Sequence, residues 1–254
     1  MGWLGTIIGG GIGAMLGGPY GAIIGAALGA TFSGGSARQA EQTRIGATER
    51  NQLLFFTAAF SMVGKLAKAD GRVCEDEIAA IRRIANEALG LDEQTRRYAI
   101  EVLNRSKTSP ESFEDYARQF GELFAGQTDL CQLMLAFLFE VAMADGSLHP
   151  AEEQMLRQAQ RHFRLPDSFY DQLYARFVGG GQPRDSLLEA YRTLGVDPDA
   201  DVATVKKAYR QKVAEFHPDR IQGKGLPPEF LKFANDKLTE INAAWELIHK
   251  HRGL

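Results

Sequence analysis

His217, Pro218 and Asp219 stand together just after a run of cations, Lys206, Lys207, Arg210 and Lys212. An imidazole two residues from a carboxylate could serve acid–base catalysis. That chemistry needs a nucleophile, a phosphate-gripping loop or a pocket beside it, and no such feature accompanies these residues, so the chain is not expected to be an enzyme. Recognition fits better. Pro218 holds its φ at about −65° and has no N–H, and Asp219 is expected to bond back to loop amides, so the corner is stiffer than a generic loop. A stiff corner loses less entropy on docking. Four cations with no acid among them set up a local positive field suited to an acidic partner.

The elements that must hold this corner are helices. Leu187, Leu188, Tyr191 and Leu194 line a short one ending at Gly195, and Asp197, Asp199 and Asp201 offer caps for a second. That second helix is expected to bury Val202, Val205, Tyr209, Val213 and Phe216 and to leave Lys206, Lys207, Arg210 and Lys212 outward. A third helix opens after Pro227-Pro228 and turns Phe230, Ala234, Leu238, Ile241, Trp245 and Ile248 inward. The two longer helices form an antiparallel hairpin with His217-Pro218-Asp219 at its tip.

The whole chain has 254 residues and a formal net charge of -3, which disfavours a bulk nucleic-acid binder and makes any basic surface local. No aromatic platform interleaves with the cations, so no nucleic acid is expected as a partner. The two cysteines, Cys74 and Cys131, lie far apart without His or Cys at metal spacing, so a zinc ribbon and a disulfide framework are both excluded. Both are expected to be buried thiols.

No charged side chain occurs from Met1 to Ala37, and Leu4 to Phe32 is a nearly continuous run of Gly, Ala, Ile and Leu. As a helix it would be about 40 Å long, enough to cross a hydrocarbon core of about 30 Å. Gly5, Gly9, Gly13, Gly17, Gly21, Gly25 and Gly29 recur every fourth residue beside a bulky column of Ile8, Ile12, Leu16, Tyr20, Ile24 and Leu28. Such a stripe lets helices approach closely in lipid, so the segment is expected to self-associate. Gly17-Gly18-Pro19 bends or breaks it, with one kinked span favoured over a hairpin. Arg38, Arg44 and Arg50 follow, and no Lys or Arg precedes, which places the C-terminal side in the cytoplasm and the N-terminus in the periplasm.

Between these ends lie amphipathic helical patterns with no strand alternation. Leu53, Phe56, Phe60, Val63 and Ala67 mark one buried face, and Leu130, Leu133, Phe137 and Val141 another. Each pattern ends in nearly the same words: Ala67-Lys68-Ala69-Asp70-Gly71-Arg72-Val73 then Glu77, and Ala142-Met143-Ala144-Asp145-Gly146-Ser147-Leu148 then Glu152. The Asp-Gly pair closes a helix, and the later Glu sits in the first turn of the next, where His149 caps and Pro150 is the first helical residue. The module is a helical hairpin used twice.

The order and spacing of Tyr191, Leu194-Gly195-Val196, Lys206-Lys207-Ala208-Tyr209-Arg210, His217-Pro218-Asp219 and Glu240-Ile241-Asn242 resemble the J-domain family over about residues 184 to 254. The duplicated middle resembles the TerB-like fold over about 51 to 178. With the glycine-rich first segment and Lys224-Gly225-Leu226-Pro227-Pro228-Glu229, nearly the whole chain resembles the DnaJ-like membrane co-chaperones. The resemblance implies a DnaK-type chaperone as partner, its ATPase stimulated through His217, Pro218, Asp219, Lys206, Lys207, Tyr209, Arg210 and Lys212. Some TerB-like proteins are associated with metal through acids, which would point at Asp70, Glu77, Asp145 and Glu152. Each of these has a local role at a turn or helix start, so neither metal nor cofactor is expected. The Gly/Phe-rich region and cysteine-rich repeats of general DnaJ chaperones are absent, so broad binding of unfolded clients is not expected.

The expected architecture is therefore all-α: a transmembrane glycine-zipper segment (1–35), a polar stalk (36–50), a TerB-like domain with an internal repeat (51–178), a Gly179-Gly180-Gly181-Gln182-Pro183 linker and a J domain (184–254). The expected function is that of a co-chaperone at the cytoplasmic face of a bacterial inner membrane, acting as a homodimer. The alternative is a membrane-attached, metal- or stress-responsive scaffold built on the middle domain.

Overall fold

The structure is a computed structural model that describes residues 17–32, 46–69, 89–178 and 186–253. Its elements are α1 (Gly18–Phe32), α2 (Ala47–Leu66), α3 (Glu93–Thr108), α4 (Phe113–Leu123), α5 (Thr128–Ala142), α6 (Pro150–His162), α7 (Asp167–Phe177), α8 (Ser186–Leu194), α9 (Val202–Phe216), α10 (Pro218–Gln222) and α11 (Pro228–Arg252). The fold is all-α, with no strand among the described residues. Gly5, Gly9 and Gly13, the first repeat's Asp70 to Val73 with Glu77, Cys74, Arg38, Arg44 and the 179–183 linker lie outside the described residues.

The two helices with the strongest apolar patterns form the centre. α2 buries Leu53 to Val63 without a break, and α5 buries Asp129 to Phe139. Both are buried around most of their circumference rather than along the single stripe their periodicity predicts, because α3, α4, α5 and the C-terminal helices all pack around α2. Thr57, buried in α2, shares a 2.9 Å hydrogen bond with the Tyr98 hydroxyl of α3, a polar pair that joins the two helices inside the core.

The second repeat behaves as its sequence predicts. Gly146 takes φ 91°, where a side chain would be strained, and Asp145 accepts the Ser147 amide at 2.9 Å. Glu152 then accepts the His149 amide at 3.0 Å, with Pro150 opening α6. Asp145 and Glu152 thus act on their own backbone. Among the described residues no three His, Cys, Asp or Glu side chains gather as a metal site. Cys131 is buried, and burial pushes its thiol up to about 12.

α1 begins where Gly17-Gly18-Pro19 predicts a break, with Gly18 at φ 77°. Tyr20, Ile23, Ile24 and Ala27 are buried where the helix packs against α3 and α4, and the Tyr20 hydroxyl donates to the Tyr116 carbonyl at 2.6 Å. Two members of the bulky column, Tyr20 and Ile24, therefore face protein. In the glycine column, Gly21 is buried whereas Gly17 and Gly25 are exposed. Among the described residues no helix is long and apolar enough to cross a membrane.

Candidate partner-docking site

The corner forms because His217 leaves the helical region at φ -66°, ψ 120°, as a residue before proline must, and caps the short α10 with Pro218 in its first turn. The His217 carbonyl accepts the amides of Arg220 at 3.1 Å and Ile221 at 3.3 Å, and Ile221 is fully buried beneath it. The expected bond from Asp219 to loop amides is not made. Its side chain is 88% exposed and lies 4.0 Å from His217 Nδ1, so the stiffness comes from the proline, the α10 turn and the Ile221 anchor instead.

α9 is capped by Asp201, whose carboxylate accepts the Thr204 amide at 2.7 Å, and the bonds to Thr204 hold that carboxyl below its usual range. Lys206, Lys207 and Arg210 are exposed along it. Tyr209 points the other way: its ring stacks on Trp245 at 4.7 Å and its hydroxyl donates to Asn242 at 3.1 Å. Two of the motifs read from the sequence therefore meet inside the hairpin. Val205 and Phe216 are buried as expected, while Val202 is 40% exposed at the helix start.

Lys212 is not outward. Its side chain is 13% exposed, its ammonium lies 4.8 Å from the Phe169 ring centroid of α7, and Glu215 stands 3.6 Å away. Burial holds this ammonium below the usual lysine range, partly offset by Glu215. The reason is helical geometry. At about 100° per residue Lys206 and Arg210 share a face, whereas Lys212 lies about 200° round from Arg210. It lines a cleft of about 340 Å³ between α9 and α7, with Gln132, Gln172 and Gln211.

The C-terminal helices are packed onto the middle ones. Phe230 inserts its ring among Phe55, Phe56 and Phe137, with centroid distances of 5.0, 6.2 and 5.0 Å. Gly225, at φ 89°, comes so close to α2 that a Cβ there would lie 2.5 Å from the Asn51 Cβ. Asn51 and Gln52 donate to the carbonyls of Lys224 and Leu226. Lys237 pairs with Glu140 at 2.6 Å, Arg176 pairs with Glu240, and the buried Asp129 carboxylate takes both Arg220 and Lys224. Sequence reading finds none of these ion pairs, because their partners come from distant helices and no local spacing marks them.

Comparison with known proteins completes the site. Residues 1–39 match the family described as Co-chaperone DjlA transmembrane domain, residues 56–175 Tellurite resistance protein TerB, and residues 189–252 the DnaJ domain. Co-chaperone protein DjlA from Photobacterium profundum is 34% identical over 224 residues, covering 81% of this chain and 80% of that protein. The chain belongs to the DjlA co-chaperone family. The Escherichia coli K12 DjlA is 32% identical over 235 residues, with 85% and 86% covered, and the Aliivibrio fischeri one 32% over 249, with 88% and 84%. No solved structure matches the chain significantly. As a DjlA-family protein this chain is a membrane-anchored J-domain protein, and the exposed corner at His217 and Asp219 lies within its J domain.

Proposed function

We propose that this chain stimulates ATP hydrolysis by a DnaK-type chaperone at the cytoplasmic face of the inner membrane. The observation that carries the reading is one outward surface on which exposed Lys206, Lys207 and Arg210 run toward exposed His217 and Asp219. The cations steer an acidic partner and hold it. The stiff corner then docks and favours the partner's hydrolysis-competent state, which requires only that it bind that state better than the other. The chain itself performs no bond chemistry. Tyr209 contributes by fixing α9 on α11 through Trp245 and Asn242. Lys212 contributes from the inner side of the helix.

A single-pass anchor with the N-terminus in the periplasm follows from Arg38, Arg44 and Arg50 beyond a charge-free apolar run. Close packing of such anchors along Gly5, Gly9 and Gly13, ahead of the helix that packs on α3 and α4, would make a homodimer and double the docking corners at one membrane site. The deciding experiment is a single-turnover ATPase assay of a DnaK-type chaperone with the full chain. His217→Gln is expected to keep its helicity and abolish stimulation. Stimulation equal to that of the unaltered chain would refute the reading.

A further inference from the structure

We propose that Asp129 of the middle domain is a positioning residue for the docking corner, gripping the helix that carries it. Asp129 lies in the first turn of α5 and is 4% exposed. Its Oδ2 lies 2.5 Å from Lys224 Nζ and 3.3 Å from Arg220 Nε, while Oδ1 accepts the Leu130 amide at 3.0 Å. Arg220 directly follows Asp219, and Lys224 lies in the turn after α10. One buried carboxylate, 95 residues upstream of Lys224, therefore holds both α10 and the turn that follows it, just after His217-Pro218-Asp219.

The grip comes from the side that leaves docking free. Phe169 and Gln172 of α7 line a cleft opposite Ala208, Gln211, Lys212 and Glu215 of α9, and Asp129 pairs with Arg220 of α10. Lys206, Lys207, Arg210, His217 and Asp219 stay exposed. The contact therefore mounts the corner instead of masking it, and a mounted corner loses less orientational freedom when it docks. Because the middle domain lies between anchor and J domain in the chain, the same grip sets which way the corner faces from the membrane.

This proposal rests on the co-chaperone reading, and its test separates the two. Full chains in detergent carrying no change, Asp129→Asn, Asp129→Glu or His217→Gln are titrated into a DnaK-type chaperone, and single-turnover ATP hydrolysis is followed. Asp129→Asn is expected to raise the half-maximal concentration about threefold to tenfold while saturating stimulation is kept, a size typical of residues that act through a coupled element. Asp129→Glu should recover part of the loss. Amide exchange over residues 219–226 should quicken in Asp129→Asn while 241–252 stays unchanged, a readout that needs no partner.

The substitution leaves no buried charge behind, since Arg220 and Lys224 are 55% and 31% exposed and can be solvated. If it nevertheless fails to fold, Lys224→Gln is read in the same way. An unaltered half-maximal concentration with unaltered exchange, or increased stimulation, would overturn the grip. If the unaltered and His217→Gln chains behave alike, the co-chaperone reading fails. If only His217→Gln loses stimulation, the grip alone fails.

Discussion

The two sides of α9 carry the same kind of side chain and put it to opposite uses. Outward, Lys206, Lys207 and Arg210 keep their charges in water, where they cost nothing to hold and attract an acidic surface over a Debye length of about 8 Å. Inward, Lys212 has given up most of its hydration to sit against Phe169 beside Glu215. A charge kept in water is available for recognition, and a charge taken out of water belongs to the packing of its own chain. On the proposed function, the difference divides this J domain into a docking half and a mounting half along a single helix, with the corner at His217 on the docking side.

The largest effect expected is on the mounting half. Phe230 is fully buried and its ring meets Phe55, Phe56 and Phe137 of the middle domain. Phe230→Ala should cost about 3–5 kcal/mol, as large-to-small changes at buried aromatics do. Denaturant unfolding of the full chain checks it. A loss under 1 kcal/mol would mean that the two halves are mounted by something other than this ring, and the contrast between the faces of α9 would lose its structural cause.

On the docking half the effects are smaller and depend on salt. Arg210→Ala should weaken stimulation of a DnaK-type chaperone about twofold to fivefold at low ionic strength, the range of exposed charge pairs, and the gap should close as salt is added. Lys212→Ala should leave that salt dependence in place, because its ammonium does not reach the outer face. Equal salt-sensitive losses from the two substitutions would erase the distinction.

The exposed face of α9 and its corner are largely legible in the sequence, and the packed face is not. His217, Pro218 and Asp219 are adjacent, their stiffness follows from proline, and the periodicity of Val205, Tyr209 and Phe216 marks the helix behind them. Lys212 departs from the expected outward face because a run of cations in sequence ignores the turn of about 200° between Arg210 and Lys212. Asp129 was invisible for another reason. Beside Thr128 at a helix start it has a sufficient local explanation, and only the fold brings Arg220 and Lys224 to it. Lys224-Gly225-Leu226-Pro227-Pro228-Glu229 sat between these cases: the stretch stood out by resemblance, but its physical task, a close approach to Thr48 and Asn51, needed the α2 surface to be in place.

Lys212 also offers the finest test of the comparison. Its folded pKa lies below the ordinary lysine value because burial disfavours the ammonium, so between that lowered value and about 10.4 the unfolded chain binds more protons than the folded one. Stability contributed through this group therefore rises with pH across that window, and below it the fold carries the full cost of a desolvated charge. Lys212→Met removes the cost along with the Glu215 pairing and the contact with Phe169, so near neutral pH its net effect should stay within about 1 kcal/mol. Measured as melting temperature from neutral pH to above 10, the stability of Lys212→Met relative to the unaltered chain should fall as pH rises. A difference that stayed flat with pH would put Lys212 back on the hydrated side of the helix with Lys206, Lys207 and Arg210.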